Sequence, residues 1–370
     1  MTELALSTST APQPPAVILQ LLEKLGLSYQ VRSDLPNLPA AQRLQAVLLD
    51  DAVGALLVLY PQSQLLDLKR LTELTGRQLV AVKPERLERM LGKHNLKALP
   101  GLPPLTSSPC LYDERLLQVP SLYIESGQRG VLLELSSEAF KSLLGKASAA
   151  RFGEPLENIR LNLDRPDDDR AEITQAVQAF TARRIQQRLE ETIEIPPLPE
   201  TAQRIIKLRV NPNADISDLA QIVETDPSLA AQVVSWAASP YYSAPGKIKS
   251  IHDAIVRVLG FDMVLNLALG LSLGKAMTIP KEGPHGALPY WQQAVYMAAT
   301  IEGLVTAIPR DHRPSFGMAY LCGLLHNFGY LILAEVFPPY FHNYCELADT
   351  NPHVDHQAVE RHLLGVTREQ

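Results

Sequence analysis

Apolar positions fall into two regimes along this chain. Up to about residue 150, short leucine- and valine-rich runs alternate with stretches of helical spacing. VILQLLEKLGL (17–27) has apolar positions at helical spacing, with Gly26 near its end. AVLLDD (46–51) and GALLVLYP (54–61) read as strands separated by a short turn segment. SQLLDLKRLTELTG (63–76) and KPERLERMLGK (83–93) predict helices. SLYIESG (121–127) and GVLLELS (130–136) predict a hairpin around Gln128-Arg129, and SEAFKSLLG (137–145) a short closing helix. The first half is therefore expected to be α+β, with a mixed or antiparallel sheet.

Residues 1–15, rich in Ser, Thr and Pro, predict a disordered tail ahead of a domain over 16–150. A linker over 151–191 follows. LDRPDDDRAE (163–172) places carboxylates where they favour a helix N-terminus, and the helix is expected to run to about Thr192. Ile173, Ala176, Val177, Phe180 and Ile185 fall on one side, so this helix is expected to pack on one domain or both. From Pro196 strand signals nearly vanish, and 192–370 reads as all-helical. Asp226-Pro227 is an acidic N-cap with Pro at the first helical position; Leu229, Ala230, Val233, Val234 and Ala237 then line one face.

Residues 249–273 resemble a helix-turn-helix in outline, with Gly260 at the turn. A recognition helix must offer polar or basic side chains to a groove. The second helix instead offers Met263, Val264, Leu265, Leu267, Leu269 and Leu271, which predicts core. His252-Asp253 precede it, and Asp253 reads as first-turn charge.

Net charge is −6, split as +1 over residues 1–150 and −7 over 151–370. An acidic half cannot supply the clustered cations that hold a phosphate backbone, so nucleic acid is not expected there. Lys83, Arg86, Arg89, Lys93 and Lys97 could share a helix face and leave tRNA contact open for the first half; with Glu85 and Glu88 interleaved, a solvated face is the plainer reading. Cys110, Cys322 and Cys345 form no CxxC pair, which fits reduced thiols and a cytoplasmic setting. The N-terminus lacks a leader pattern, and the apolar stretch 254–274 is interrupted by Arg257, Gly260, Asp262 and Asn266, so no membrane role is expected.

Four ordered segments carry a resemblance: IPPLPETAQRIIKL (195–208), DISDLAQIVETDPSLAAQVV (215–234), KSIHDAIVRVLGF (249–261) and GMAYLCGLLHNFG (317–329). Together they resemble the HDOD family, the HD-related output domain of bacterial signalling proteins. The resemblance implies an all-helical, non-enzymatic regulatory domain. In HD phosphohydrolases adjacent His and Asp grip a catalytic metal; here His326 is followed by Asn327, whose neutral amide is a weaker oxygen donor than a carboxylate. A second ligand position falls on Gln293, or on Gln292 one register away, in PYWQQAVYMAAT (289–300). Arg368 stands where relatives carry His after Gly-Val-Thr. His326 is thus expected to be a buried, hydrogen-bonded histidine and Asn327 a helix cap or bridge. His353, His356 and His362 are further candidate ligands by residue type alone. No metal and no cofactor are expected.

The order LGLSYQV (25–31), AVLLDD, GALLVLYP, LDLKRLTELTGR (66–77), GLPPLTSSP (101–109) and LYDERLL (111–117) resembles the YbaK/prolyl-tRNA-deacylase family over about 15–146. Editing members use a lysine whose position here is Gln45; Arg43 is nearby on the strand. A glutamine supplies no charge to an ester carbonyl. The sequence therefore points to a regulatory protein working through signalling partners, with both ancestral sites degenerate. Two enzymatic classes stay open: an aminoacyl-tRNA editing deacylase and an HD-type phosphohydrolase.

Overall fold

The computed structural model describes residues 13–34, 36–106, 108–159, 161, 168–186, 197–242, 246–280, 283–336 and 338–370; the side chains of 180–186 and 241 lie outside that description. The expected tail therefore lies largely outside the described residues, as do the end of the linker helix and the Phe180 and Ile185 side chains. The chain divides into two compact units. The first comprises Met1–Leu163 together with Asn343–Leu363, and the second Asp164–His342 with Leu364–Gln370.

The first unit opens with α1 (Ala16–Lys24), whose Ile18 and Leu22 are fully buried. Gly26 then adopts φ +64°, a left-handed conformation that costs glycine little. The strands are β1 (Gln30–Ser33), β2 (Leu44–Asp50), β3 (Ala55–Pro61), β4 (Gln64–Leu66), β5 (Val80–Ala81), β6 (Cys110–Asp113), β7 (Ser121–Glu125), β8 (Val131–Ser136), β9 (Ser148–Ala150) and β10 (Gly153–Pro155). α2 (Leu68–Thr75), α3 (Pro84–Gly92) and α4 (Ser137–Leu144) lie between them.

Five strands form a mixed sheet ordered β5-β2-β3-β6-β9, antiparallel on the β5-β2-β3 side and parallel from β3 to β9. β1, β8 and β7 make an antiparallel sheet, and β4 pairs with β10. The large sheet is buried on both faces. Leu44, Leu48, Leu57 and Leu59 enter one cluster with Ile124 and Leu133, while Val47, Leu49, Val58 and Tyr60 enter another with Leu66 and Phe152. Each fully buried leucine stabilises by about 1.5–3 kcal/mol, so β2 and β3 anchor the domain.

The expected hairpin of β7 and β8 is present. The single helix expected over 63–76 is not. Gln64–Leu66 form β4, and α2 starts only at Leu68, where the Asp67 carboxylate accepts from the amides of Lys69 and Arg70. A non-local partner, β10, decided this: three consecutive buried residues gain ladder hydrogen bonds unavailable to an isolated turn.

The second unit is helical: α5 (Asp169–Gln186), α6 (Glu200–Arg209), α7 (Ile216–Glu224), α8 (Pro227–Ala237), α9 (Ile251–Ala254), α10 (Phe261–Lys275), α11 (Tyr290–Ala307), α12 (Phe316–Leu325) and α13 (Phe328–Val336). α14 (Pro338–Thr350) and α15 (His356–Leu364) follow, with Asn343–Leu363 counted in the first unit. α10 packs against α6, α8 and α12, and Met263, Val264, Leu265, Leu267, Leu269 and Leu271 are all buried, as a core helix requires. The Asp226 cap is present, its carboxylate accepting from the Leu229 amide and pairing with Lys275 at 2.7 Å.

The linker helix departs from expectation. Ile173 and Val177 on α5 are 37% and 36% exposed, so its apolar side is not sealed. Its sequence alternates too many polar residues with too few large apolar ones for one stripe to bury. Its first turn is instead held by polar contacts, with Gln370 Nε2 donating to Asp169 Oδ1 at 3.0 Å and Glu172 Oε2 at 2.7 Å. Among the described residues one helical stretch, 316–336, is long and apolar enough to cross a membrane. It is broken at His326-Asn327 and carries buried Tyr320, Leu321 and Leu324 in the bundle core.

Candidate functional site

α12 ends at Leu325, and the chain turns through His326-Asn327 into α13. Asn327 is 7% exposed, and its Nδ2 donates weakly to Gln293 Oε1 on α11 at 3.5 Å. Arg368, in the C-terminal tail, donates from Nη1 to Asn327 Oδ1 at 2.8 Å and lays its guanidinium over the Tyr330 ring, 5.2 Å from the centroid. Gly329 makes this approach possible, because a Cβ there would stand 1.8 Å from the Arg368 carbonyl oxygen. The structure therefore gathers Gln293, Asn327 and Arg368, three of the positions singled out in the sequence.

His326 does not join them. It is exposed rather than buried, and its Nδ1 donates to the Gly323 carbonyl at 2.8 Å. Sitting one residue past the helix end, its ring folds back on an unsatisfied carbonyl of α12 instead of pointing inward.

This gathering does not fit the divalent metal that an HD site implies. Its groups are two neutral amides and a permanent cation, and a guanidinium repels a metal ion at short range. Among the described residues no group of three or more His, Cys, Asp or Glu side chains is placed to share a metal. The other candidate histidines go to separate partners in the first unit. His353 Nε2 donates to the Gln64 carbonyl at 2.9 Å, His356 Nδ1 lies 2.7 Å from the Tyr344 hydroxyl, and His362 lies 3.6 Å from Asp67.

The second predicted position, Gln45, sits on β2 opposite Tyr60 of β3 and is half-buried. Arg43 bridges Tyr123 of β7 in parallel register. Arg43 is committed to Asp34, with Nη2 2.7 Å from Oδ1. Glu125 was not anticipated. Burial pushes its carboxyl up to about 7, with Asp34 adding to the rise and Arg43 opposing it, and Oε2 is buried without a hydrogen-bond partner. Only the non-local bridge puts this carboxyl beside Arg43, so no sequence motif marked it. On the far side, Gly101 of the GLPPLT loop lets Leu44 approach: a Cβ there would stand 2.2 Å from Leu44 Cδ2. The α3 basic face is partly spent on local pairs, with Arg86 bonded to Asp50 and Arg89 to the Glu85 carbonyl.

The fold is an α+β domain followed in the same chain by a helical bundle. Residues 195–370 match the HDOD domain model, and residues 28–143 match the aminoacyl-tRNA editing domain model. A crystal structure from Marinobacter aquaeolei VT8, provisionally named a signal transduction protein, is 45% identical with a TM-score of 0.85; the match covers 96% of this chain and 78% of that one. The chain belongs to the HDOD family, with an aminoacyl-tRNA editing domain ahead of the HDOD domain. An uncharacterized protein of Treponema pallidum (strain Nichols) is 25% identical over 164 residues, covering 44% of this chain, which spans only 31% of that curated relative's length.

Proposed function

We propose that this chain is a non-enzymatic regulatory protein of bacterial signalling that acts by binding a protein partner, with neither family site catalytic. The observation that carries the reading is the Arg368–Asn327–Gln293 contact. Where a metal-binding site would need anionic ligands, it offers a built-in cation already hydrogen-bonded to the neutral amide. Gln45 supports the same reading for the first unit, because an amide offers no charge to a developing oxyanion. A cytoplasmic setting belongs to the proposal and agrees with the free thiols of Cys110, Cys322 and Cys345.

The full chain, used as bait in the native host, is expected to retain a stoichiometric protein partner and to show no turnover of mischarged tRNA or nucleotides. Turnover at a rate typical of either enzyme class would overturn the reading. The deacylase alternative draws on one observation, Glu125. A carboxyl raised to about 7 beside Asp34 and Arg43 suits proton transfer. If hydrolysis of mischarged tRNA is found, it should rise through pH 7 and vanish in Glu125→Gln.

A further inference from the structure

α3 packs on the first unit without burying a single residue. Its Leu87, Met90 and Leu91 are half-buried against the core cluster that holds Leu96 and Leu102, and a cavity of about 300 Å³ remains between the helix and the segment that follows it. Close-packed interiors rarely leave such a void, whereas ligand pockets start at about this size. The turn after α3 shapes the mouth. The amides of His94 and Leu96 donate to the Leu91 carbonyl at 3.1 and 3.0 Å, and the Asn95 amide donates to the Gly92 carbonyl at 3.1 Å. Asn95 takes φ +53°, a left-handed conformation that asparagine tolerates better than most side chains. Leu96 thereby returns to the core as one wall of the cavity, while Lys93 and His94 line it from exposed positions.

We propose that this cavity binds a short single-chain carboxylate, its apolar tail among Met90, Leu91, Leu99 and Leu105 and its head at Lys93, His94 and the Ser108 hydroxyl. The polar groups at the mouth are uncommitted. Backbone amides close α3, so neither Lys93 nor His94 is spent on the helix carbonyls. Among the described residues, the side chains of Lys93, His94 and Ser108 have no hydrogen bond or ion pair, whereas Arg86 is bonded to Asp50 and Arg89 donates to the Glu85 carbonyl. No Asp or Glu lines the cavity, so an entering anion meets an ammonium with no carboxylate opposing it. A leucine-walled bore with one cationic end selects an amphiphile, since a fully polar ion would leave the walls unused and a pure hydrocarbon the ammonium. The head is a carboxylate rather than a phosphate: no arginine fork lines the cavity, and one lysine balances one charge. Neither Gln45 nor Glu125 lines it, so the site is separate from the editing position and stands independently of the proposed function.

Methyl NMR on the full chain, labelled at its methionine methyl groups, reads the site through Met90, whose signal is assigned with Met90→Leu. Octanoate is expected to shift the Met90 signal saturably, and affinity should rise about fourfold per methylene from butanoate to hexanoate, as each added group leaves water. Lys93→Gln should weaken octanoate about tenfold and leave octanol unchanged, because only the carboxylate meets the ammonium. Octyl phosphate should bind no more tightly than octanoate. Three results would each overturn the proposal: a Met90 signal that does not move with millimolar octanoate, octanoate binding that Lys93→Gln leaves intact, or tighter binding of octyl phosphate. Lys93 is exposed, so its replacement reads the head contact without disturbing the core.

Discussion

Arg368 holds Asn327 by a 2.8 Å hydrogen bond while its guanidinium covers the Tyr330 ring. One tail residue therefore satisfies the side-chain oxygen of the buried Asn327. Arg368→Ala should cost about 1–3 kcal/mol in denaturant melts, from the lost charge-assisted bond and ring contact. Arg368→Lys should recover only part of this, because an ammonium lacks the planar fork.

Purified protein is expected to hold no stoichiometric transition metal, because the groups gathered at Gln293, Asn327 and Arg368 are two neutral amides and a cation. Elemental analysis after mild chelation checks this. A finding of about one Fe, Mn or Zn per chain would return the phosphohydrolase reading.

Asn351→Asp should destabilise the first unit by about 3–5 kcal/mol, close to the cost of an uncompensated buried charge. Asn351 is 1% exposed, and its Nδ2 donates to the Leu66 carbonyl at 3.0 Å and the Leu347 carbonyl at 2.9 Å. A carboxylate would lose both donations and face two carbonyl oxygens. Asn351→Ala should cost less, and thermal melts of the two variants rank them.

Glu125 makes stability depend on pH. Its folded pKa of about 7 lies above the ordinary carboxylate value, so the folded state holds a proton that the unfolded state releases. Stability should therefore fall as pH rises from about 4.3 towards 7, with the full penalty above that. Glu125→Gln should match wild type near pH 4 and exceed it at pH 8 by about 1–2 kcal/mol, a figure reduced for partial solvent screening. Denaturant titrations at the two pH values would settle the sign.

His353 has the opposite dependence. Burial lowers its pKa against the bonds to the Gln64 and Gln62 backbone, so the folded state favours the neutral ring. Its contribution is complete above the unfolded value of about 6.5 and is lost as pH falls through the lower folded value. His353→Gln keeps a donor for the Gln64 carbonyl without a titrating ring. The variant should flatten the acid limb of the stability curve.

Local pattern determined most of the elements. Alternating and continuous apolar runs place β2, β3, β7 and β8, because a strand buried on one or both faces must carry them. Asp226-Pro227 marks the start of α8, and the all-round apolar character of α10 identifies a core helix, since caps and burial act within a few residues. Gln45 and Asn327 were also legible, as neutral residues where the family resemblance implies charged ones. Only the tertiary structure decided the rest. β4 exists because β10, nearly ninety residues away, supplies its ladder. Glu125 acquires its proton affinity from burial and from Asp34, and Arg368 meets Asn327 because Gly329 lets the tail approach. Asn351 reads as an ordinary turn residue until its amide is seen against Leu66. Each of these depends on groups brought together by chain closure, and a linear pattern carries no distance between them.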